Sequence, residues 1–108
     1  MRLVNLTPHP VMICGFTIPP SGIVARVEES ATPVGSITVD GHEIPLVAKR
    51  FGAIVGLPER EEGVLYIASA LVAQAAWAVG RTDVVHPGDL VRDAEGRVIG
   101  AASLCVAP

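Results

Sequence analysis

The sequence predicts an α+β domain: a mostly antiparallel curled sheet or open barrel of short strands, with one principal helix at about residues 69–79. Three observations predict this class. Short runs of aliphatic residues are separated by Gly, Pro, Asp and Ser, which favour turns. One Ala-rich segment carries apolar residues at helical spacing. Strands and helices do not alternate along the chain, so we expect antiparallel rather than parallel pairing.

The length of 108 residues predicts a single domain over residues 1–108, which can bury a core of its own. Half of the residues are hydrophobic, but only 4% are aromatic. The core must therefore be built mostly from Val, Ile, Leu and Ala.

The N-terminal part predicts short strands interrupted by rigid turns. Residues 2–6 form a strand that ends at Thr7-Pro8-His9-Pro10, where two prolines restrict the backbone to extended conformations. Residues 11–18 form two strand pieces broken at Gly15. Residues 23–29 alternate in polarity, as expected for a further strand.

The middle of the chain carries a clear hairpin signal. Asp40-Gly41 can adopt the positive φ angles of a two-residue type I′ turn, so strands at about 36–39 and 42–48 should pair. Residues 49–63 contain glycines, a proline and charges. We expect a long loop there, with at most one short strand at 53–55.

The C-terminal part predicts a strand, the helix and a second hairpin. Residues 64–67 form a buried strand, Ser69 supplies the N-cap hydroxyl and Gly80 ends the helix. A second hairpin turns between Asp93 and Gly96. The apolar face of the helix is expected to consist of Leu71, Val72, Ala75 and Val79.

The composition favours self-association. Only 18% of the residues are charged, against roughly 25% in ordinary soluble domains, so a monomer would expose a contiguous apolar patch. We expect a homo-oligomer, most simply a twofold dimer. Trp77, off the apolar face of the helix, is the interface candidate, with packing beneath a loop as its alternative.

Charge and hydropathy exclude several partners. The net charge is −3 and the eight Lys and Arg residues are scattered, which argues against a nucleic-acid backbone. The N-terminus lacks the apolar stretch of a secretion signal, so we expect a cytoplasmic protein. The longest apolar run, residues 64–79, is shorter than the roughly 20 residues that cross a bilayer, so no membrane partner is expected.

No cofactor or metal is expected from the motifs. Gly-rich phosphate-binding loops are missing from the sequence, and His9, His42 and His86 show no ligand spacing. Cys14 and Cys105 lack close pairing and are interpreted as small buried thiols. The alternative is a disulfide between the two cysteines, which could form if the terminal strands are neighbours.

Two segments offer candidate ligand-binding side chains. In the first, Thr7 and His9 lie at a proline-flanked corner, where a fixed imidazole could act as a base or as a hydrogen-bonding clamp. The alternative is that both side chains satisfy backbone groups of a turn. In the second, Arg81, Asp83 and His86 could line a polar pocket, or could belong to a charged connector.

A serine nucleophile is the less favoured interpretation of the turn before the helix. Ser69 lies between a strand and a helix, where hydrolases place their nucleophile, but the Gly-x-Ser-x-Gly motif is missing. An N-cap role is favoured for Ser69.

Several stretches resemble a known group of proteins. They are LVNLTPHPV at 3–11, IPPSG at 18–22, GLPE at 56–59, YIASALVAQAA at 66–76 and RTDVVHPGDLVRDAEGRVIGAASL at 81–104. The chain resembles a family of small proteins of phages, prophages, plasmids and actinobacterial or Thermus-like genomes, with an N-L-T-P-H motif near the N-terminus. The resemblance carries no activity. It implies an origin in mobile genetic elements, where small cytoplasmic proteins often bind host factors or small molecules.

Three functional hypotheses follow. The first is a non-enzymatic, self-associating binding module with a groove for a small molecule or a host protein near residues 7–10 and 81–89. The second is a small hydrolase or lyase that uses His9 or His86 with Asp83. The third is a purely structural interaction protein. The lack of a coherent catalytic motif favours a non-enzymatic role.

Overall fold

The structure is a computed structural model that describes residues 1–107. Within that range it contains eight strands and one helix. In chain order these are β1 (Arg2–Asn5), β2 (Val11–Ile13), β3 (Phe16–Ile18), β4 (Arg26–Val39), β5 (His42–Val55), β6 (Val64–Ile67), α1 (Ala70–Ala78), β7 (Val84–Arg92) and β8 (Val98–Cys105). The α+β class with a single helix is confirmed.

Six strands form one curled sheet in the order β1-β6-β7-β8-β2-β3. The sheet nearly closes on itself, because Asn5 at the end of β1 forms a bridge with Pro20, just beyond β3. The hairpins β2–β3 and β7–β8 are antiparallel. The predicted curled sheet or open barrel is therefore confirmed.

The expectation against parallel pairing is wrong for part of the sheet. Strands β1 and β7 both run parallel to β6, and β2 meets β8 in parallel at Ile13 and Ala101. The segment β6-α1-β7 is a βαβ unit, in which a crossover helix joins two parallel strands. Because strands and helices do not alternate repeatedly along the chain, a series of βαβ units is excluded. A single unit requires only one helix, and α1 provides it.

The helix begins and ends where the sequence predicts. The hydroxyl of Ser69 accepts a hydrogen bond from the backbone N–H of Val72 at 3.3 Å, and Gly80 adopts a φ of +86°. The predicted buried face is partly wrong, since Leu71 and Val79 are exposed. Small side chains let the helix approach the sheet closely, and its buried residues are Val72, Ala73 and Ala76.

Two apolar clusters lie on opposite faces of the sheet around β6, because successive strand residues point to opposite sides. Tyr66 and Val84 pack with α1 in the first cluster. Ile67 and Val85, the next residues along these strands, pack with Ile13 and Ala101 in the second. The second cluster fills the inside of the curled sheet.

Strands β4 and β5 form a separate two-stranded antiparallel ribbon, named here the arm (residues 26–55). The predicted Asp40-Gly41 turn and the pairing around it are confirmed. The predicted loop is wrong at 49–52, because β5 runs through these residues and includes the short strand predicted at 53–55. Strand β4 begins at Arg26 rather than at residue 23. Two register shifts interrupt the alternation and hide the length of the strands.

Prolines in the arm are compatible with a ribbon of two strands. Pro33 lies in β4 and Pro45 in β5, where a central strand of a wide sheet would lose a ladder hydrogen bond. Each strand of the arm has only one partner within the described residues, so one edge of each is free. Helix α1 spans nine residues, and no helix in residues 1–107 is long and apolar enough to cross a membrane.

Candidate functional site

The corner after β1 is organised by Asn5, which is 1% exposed. Its side-chain amide donates to the carbonyl oxygens of His9 (2.8 Å) and Ile18 (3.1 Å). Its side-chain oxygen accepts from the backbone N–H of Thr7 at 2.9 Å and lies 2.7 Å from the Thr7 hydroxyl. All the hydrogen-bonding capacity of the Asn5 amide is therefore used to hold β1, the corner and β3 together.

Backbone groups around Asn5 complete the closure of the sheet. The carbonyl oxygen of Asn5 accepts hydrogen bonds from the backbone N–H of Ser21 at 3.0 Å and from its hydroxyl at 2.7 Å. The next residue, Leu6, is fully buried, and it bonds to Ile67 on one side and Ala25 on the other. The base of the arm is thus attached to the point where the sheet closes.

The two candidates at this corner differ in their surroundings. The hydroxyl of Thr7 can donate to Asn5 or to the carbonyl oxygen of His9, 2.9 Å away, so Thr7 stabilises the turn. The imidazole of His9 is exposed and forms no hydrogen bond with the described residues. The Thr7 side chain therefore stabilises the turn, as the alternative interpretation expected, but the His9 side chain does not. At His9 the backbone carbonyl is held by hydrogen bonds, whereas the ring is not.

Arg81 and Asp83 form a bidentate ion pair. The guanidinium donates to both carboxylate oxygens of Asp83 at 3.0 Å, and it also donates to the carbonyl oxygen of Pro58 at 2.8 Å. Arg60 lies 3.8 Å from the same carboxylate and donates to the hydroxyl of Thr82. This network joins the segment before β6 to the segment before β7, and Arg60, Thr82 and Asp83 also line an open cleft of about 420 Å³.

The ion pair shifts the pKa values of both partners. The hydrogen bond from Arg81 lowers the pKa of Asp83 below its usual range, although burial of the carboxylate opposes the shift. The hydrogen bond to Asp83 raises the pKa of Arg81, again against the effect of burial. Asp83 is therefore ionised at neutral pH and engaged by a cation, which makes it a poor general base.

His86 is half-buried in β7, opposite Cys105 of β8. Its Nδ1 atom lies 3.1 Å from the carbonyl oxygen of Pro87. None of the hydrogen bonds in the described chain joins His86 or His9 to Asp83. The five predicted ligand-binding residues therefore divide into a corner, an ion-pair connector and a separate imidazole.

An open groove of about 400 Å³ lies beside the two histidine-containing segments. Pro10 and Pro87, the residues after His9 and His86, line it, but the five predicted ligand-binding side chains do not. Four of its other residues are about half exposed. This surface, named here the apolar groove, is formed mainly by Pro10, Met12, Thr17, Leu90, Val98 and Ile99.

The outer part of the arm has one apolar and one polar face. Cross-strand partners share a face and side chains alternate along a strand, so the pairs Ile37–Ile44, Val39–His42 and Gly35–Leu46 lie on one side. The opposite side carries the pairs Ser36–Pro45 and Thr38–Glu43. All of these side chains are exposed. The first side is named here the apolar face of the arm and consists of Ile37, Val39, Ile44 and Leu46.

Trp77 makes contacts typical of a core residue. It is half-buried against the first apolar cluster, and its indole N–H donates to the carbonyl oxygen of Val84 at 2.8 Å. These intramolecular contacts favour the packing alternative over the interface role. The two cysteines are free; Cys105 is half-buried, whereas Cys14 is exposed and does not fit the expected buried thiol.

Residues 1–107 contain no group of three or more His, Cys, Asp and Glu side chains that could hold a metal ion. Comparison with known proteins finds no matching family model, no matching curated protein and no matching solved structure.

Sequence reasoning missed the two features on which the geometry depends. Asn5 was not singled out, because a lone asparagine gives no signal of its partners. The apolar face of the arm does have a signal, since Ile37 and Val39 alternate with polar residues on one side of the Asp40-Gly41 turn, and Ile44 and Leu46 on the other. That alternation predicts a strand with one covered face, but no element within residues 1–107 covers it.

Proposed function

We propose that this chain is a non-catalytic, self-associating interaction module of the cytoplasm, and that its arm makes the contact with another copy. The mobile-element origin implied by the resemblance is compatible with such a role. Recognition of a small molecule or a host protein would be secondary to this contact.

The exposed surface area is the observation that carries the proposal. The chain exposes 7153 Å² at a mass of 11.2 kDa. A compact monomer of this mass exposes about 5,700 Å², so the excess is about 1,450 Å². A stable interface of standard size buries about 800 Å² on each partner. The excess is therefore more than sufficient for an interface with a second protein.

The shape of the chain leads to the same conclusion. Its radius of gyration is 17.2 Å, whereas a compact domain of this length has a value of about 13 Å. Strands of 14 residues extend over roughly 45 Å, and the longest dimension of the molecule is 54 Å. The arm accounts for the elongation because only its base packs against the core.

An isolated two-stranded ribbon is at best marginally stable in water, and antiparallel ribbons with alternating polarity normally pack one face against a core. The arm has this alternation, but its apolar face is exposed. Burial of that face by another molecule would stabilise both the ribbon and the complex.

The charges of the arm favour a protein partner over a nucleic acid. Its cationic side chains are Arg26, Lys49 and Arg50, and its carboxylates are Glu28, Glu29, Asp40 and Glu43. Three positive and four negative charges leave a net charge of −1. A phosphate backbone requires concentrated positive charge, whereas a second copy of the chain supplies a neutral, apolar surface.

Light scattering coupled to size-exclusion chromatography tests the proposal. We expect a mass of at least twice 11.2 kDa that falls on dilution. The double substitution Ile37→Glu with Ile44→Lys should produce a monomer, because it makes the apolar face polar while the new charges form a favourable cross-strand pair.

Thr38→Lys is the matched control. It places a Lys opposite Glu43, and so puts the same pair of charges on the other face of the same ribbon. The control should associate like the natural chain. A natural chain that stays monomeric up to millimolar concentration would refute the proposal.

A further inference from the structure

We propose that the apolar groove of one copy is the binding site for the apolar face of the arm of another copy. This inference rests on the proposed self-association and names its two surfaces. Each chain would then carry one protruding surface and one concave surface that bind each other.

The apolar groove has the chemistry of a protein-binding surface. Met12, Leu90, Val98 and Ile99 are each about half exposed there, and no charged side chain of the described residues lines it. Thr17 supplies the one polar side chain among the described lining residues. Small-molecule sites normally have several convergent polar groups that orient the ligand. The groove lacks these groups and therefore suits aliphatic side chains better than a polar ligand.

The apolar face of the arm has matching properties. Its four aliphatic residues form a strip on a regular ribbon, with Gly35 opposite Leu46 at one end and His42 opposite Val39 at the other. Contact between two uncharged aliphatic surfaces removes apolar area from water without burying an unpaired charge. The opposite face of the arm carries Glu43 and would stay in water.

The arm is not placed to fill the groove of its own chain. Its base packs in the first apolar cluster through Val27 and Ile54, on the α1 side of the sheet. The groove is formed mainly by residues of β2, β3, β7 and β8 around the second cluster. Both surfaces are exposed in the single chain. A second copy is therefore the partner that can satisfy both at once.

When two copies exchange arms around a twofold axis, the arm of each copy contacts the groove of the other, and the whole interface is isologous. Such a dimer has two identical arm–groove contacts. It would cover the apolar groove and the apolar face of the arm on both chains. Part of the excess exposed area of each chain would thereby be buried. This geometry allows the two surfaces to be tested separately.

Substitutions in the groove provide the first test. Leu90→Lys and Ile99→Lys are each expected to weaken dimerisation at least about tenfold in sedimentation equilibrium, because they introduce a charge into the contact. Leu71→Lys is the control, since Leu71 is an exposed aliphatic residue on the helix, outside the groove. The control should dimerise like the natural chain.

Mixing the two kinds of variant provides the decisive test. The variant with Ile37→Glu and Ile44→Lys retains an intact groove, and Leu90→Lys retains an intact arm. An equimolar mixture should form heterodimers through one arm–groove contact, although each variant alone is monomeric. Native mass spectrometry distinguishes the heterodimer from the homodimers once one variant carries an isotope label.

The outcomes separate this inference from the proposed function. If the natural chain dimerises and the arm variant abolishes dimerisation while the groove variants do not, the arm contacts another surface. The arm–groove contact is then refuted, and self-association stands. If the mixture of the two variants contains only monomers, the arm–groove contact is likewise refuted. A monomeric natural chain would instead refute self-association itself.

Discussion

At the scale of single residues, the buried polar side chains explain why the N-terminal corner and the 81–83 segment have fixed conformations. Asn5 and Asp83 are the buried polar residues of the described chain, and no buried side-chain nitrogen or oxygen in residues 1–107 lacks a hydrogen-bond partner. Buried polar groups with complete partners stabilise one arrangement, because every alternative leaves some of them unsatisfied. Arg81 and Asp83 therefore have a structural role, and their predicted part in ligand binding stays a prediction.

Replacement of Asn5 by Ala should strongly destabilise the chain. The substitution leaves the carbonyl oxygens of His9 and Ile18 and the N–H of Thr7 without their partner. We expect the free energy of unfolding to fall by about 3 kcal/mol, measured by urea denaturation.

His9→Ala is the control for this measurement, since the exposed imidazole forms no hydrogen bond within residues 1–107. Its effect should stay within about 0.5 kcal/mol. Equal losses for the two variants would contradict the structural role assigned to Asn5.

The Arg81–Asp83 pair predicts a dependence of stability on acid pH. The pKa of Asp83 is lower in the folded chain than in the unfolded chain. Its contribution to stability is therefore present above the unfolded carboxyl pKa of about 3.9, and it is lost as the pH falls through the folded pKa. Asp83→Asn should lower the free energy of unfolding by about 2 kcal/mol at pH 7.

The difference between the natural chain and the Asp83→Asn variant should shrink as the pH falls below about 4. Urea denaturation at a series of pH values measures it. The pKa of Asp93 is also lowered, chiefly by the hydrogen bond from the backbone N–H of Arg97. Asp93 is present in both proteins, so its contribution to the pH dependence cancels in the comparison. A difference that is constant down to pH 2 would contradict the ion-pair role.

At the scale of elements, local turn chemistry predicted the hairpin turns and the start of the helix, but not where β4 begins or how far the arm extends. The Asp40-Gly41 turn, the Ser69 cap and the Asp93–Gly96 turn all depend on residues within a few positions of each other. The continuation of β5 through residues 49–55 depends on pairing with β4 across register shifts. Charged and glycine-containing segments resemble loops until a partner strand is known.

The outer arm should be separable from the rest of the chain. Only its base, through Val27 and Ile54, packs against the first apolar cluster. Replacement of residues 33–47 by Asn-Gly retains the Thr32–Ala48 pair and shortens the ribbon with a type I′ turn. The shortened chain should be a folded monomer, with a free energy of unfolding within about 1 kcal/mol of the natural monomer.

Circular dichroism and urea denaturation check the fold of the shortened chain, and light scattering checks its mass. Loss of the cooperative unfolding transition would contradict the view that the outer arm contributes little to the core. Retention of dimerisation would place the contact elsewhere in the chain.

At the scale of the whole molecule, composition anticipated an excess of apolar surface but not its location. The low charged fraction predicts a surface that association would cover. Among residues 1–107, twenty large hydrophobic residues are exposed, and many of them lie on the arm and around the apolar groove. The sequence pointed instead to Trp77, which packs against the core. A single residue type is a poor guide to an interface, because burial depends on what the rest of the chain covers.

The sequence by itself determined the features that depend on near neighbours: the α+β class, the helix and its caps, the hairpin turns and the surplus of apolar residues. Only the tertiary structure decided that Asn5 closes the sheet, that Asp83 is neutralised by Arg81 and Arg60, and that one βαβ unit makes part of the sheet parallel. The reason is the distance along the chain. Turns and caps are formed by residues a few positions apart, whereas closure and the exposure of the arm depend on contacts between distant segments.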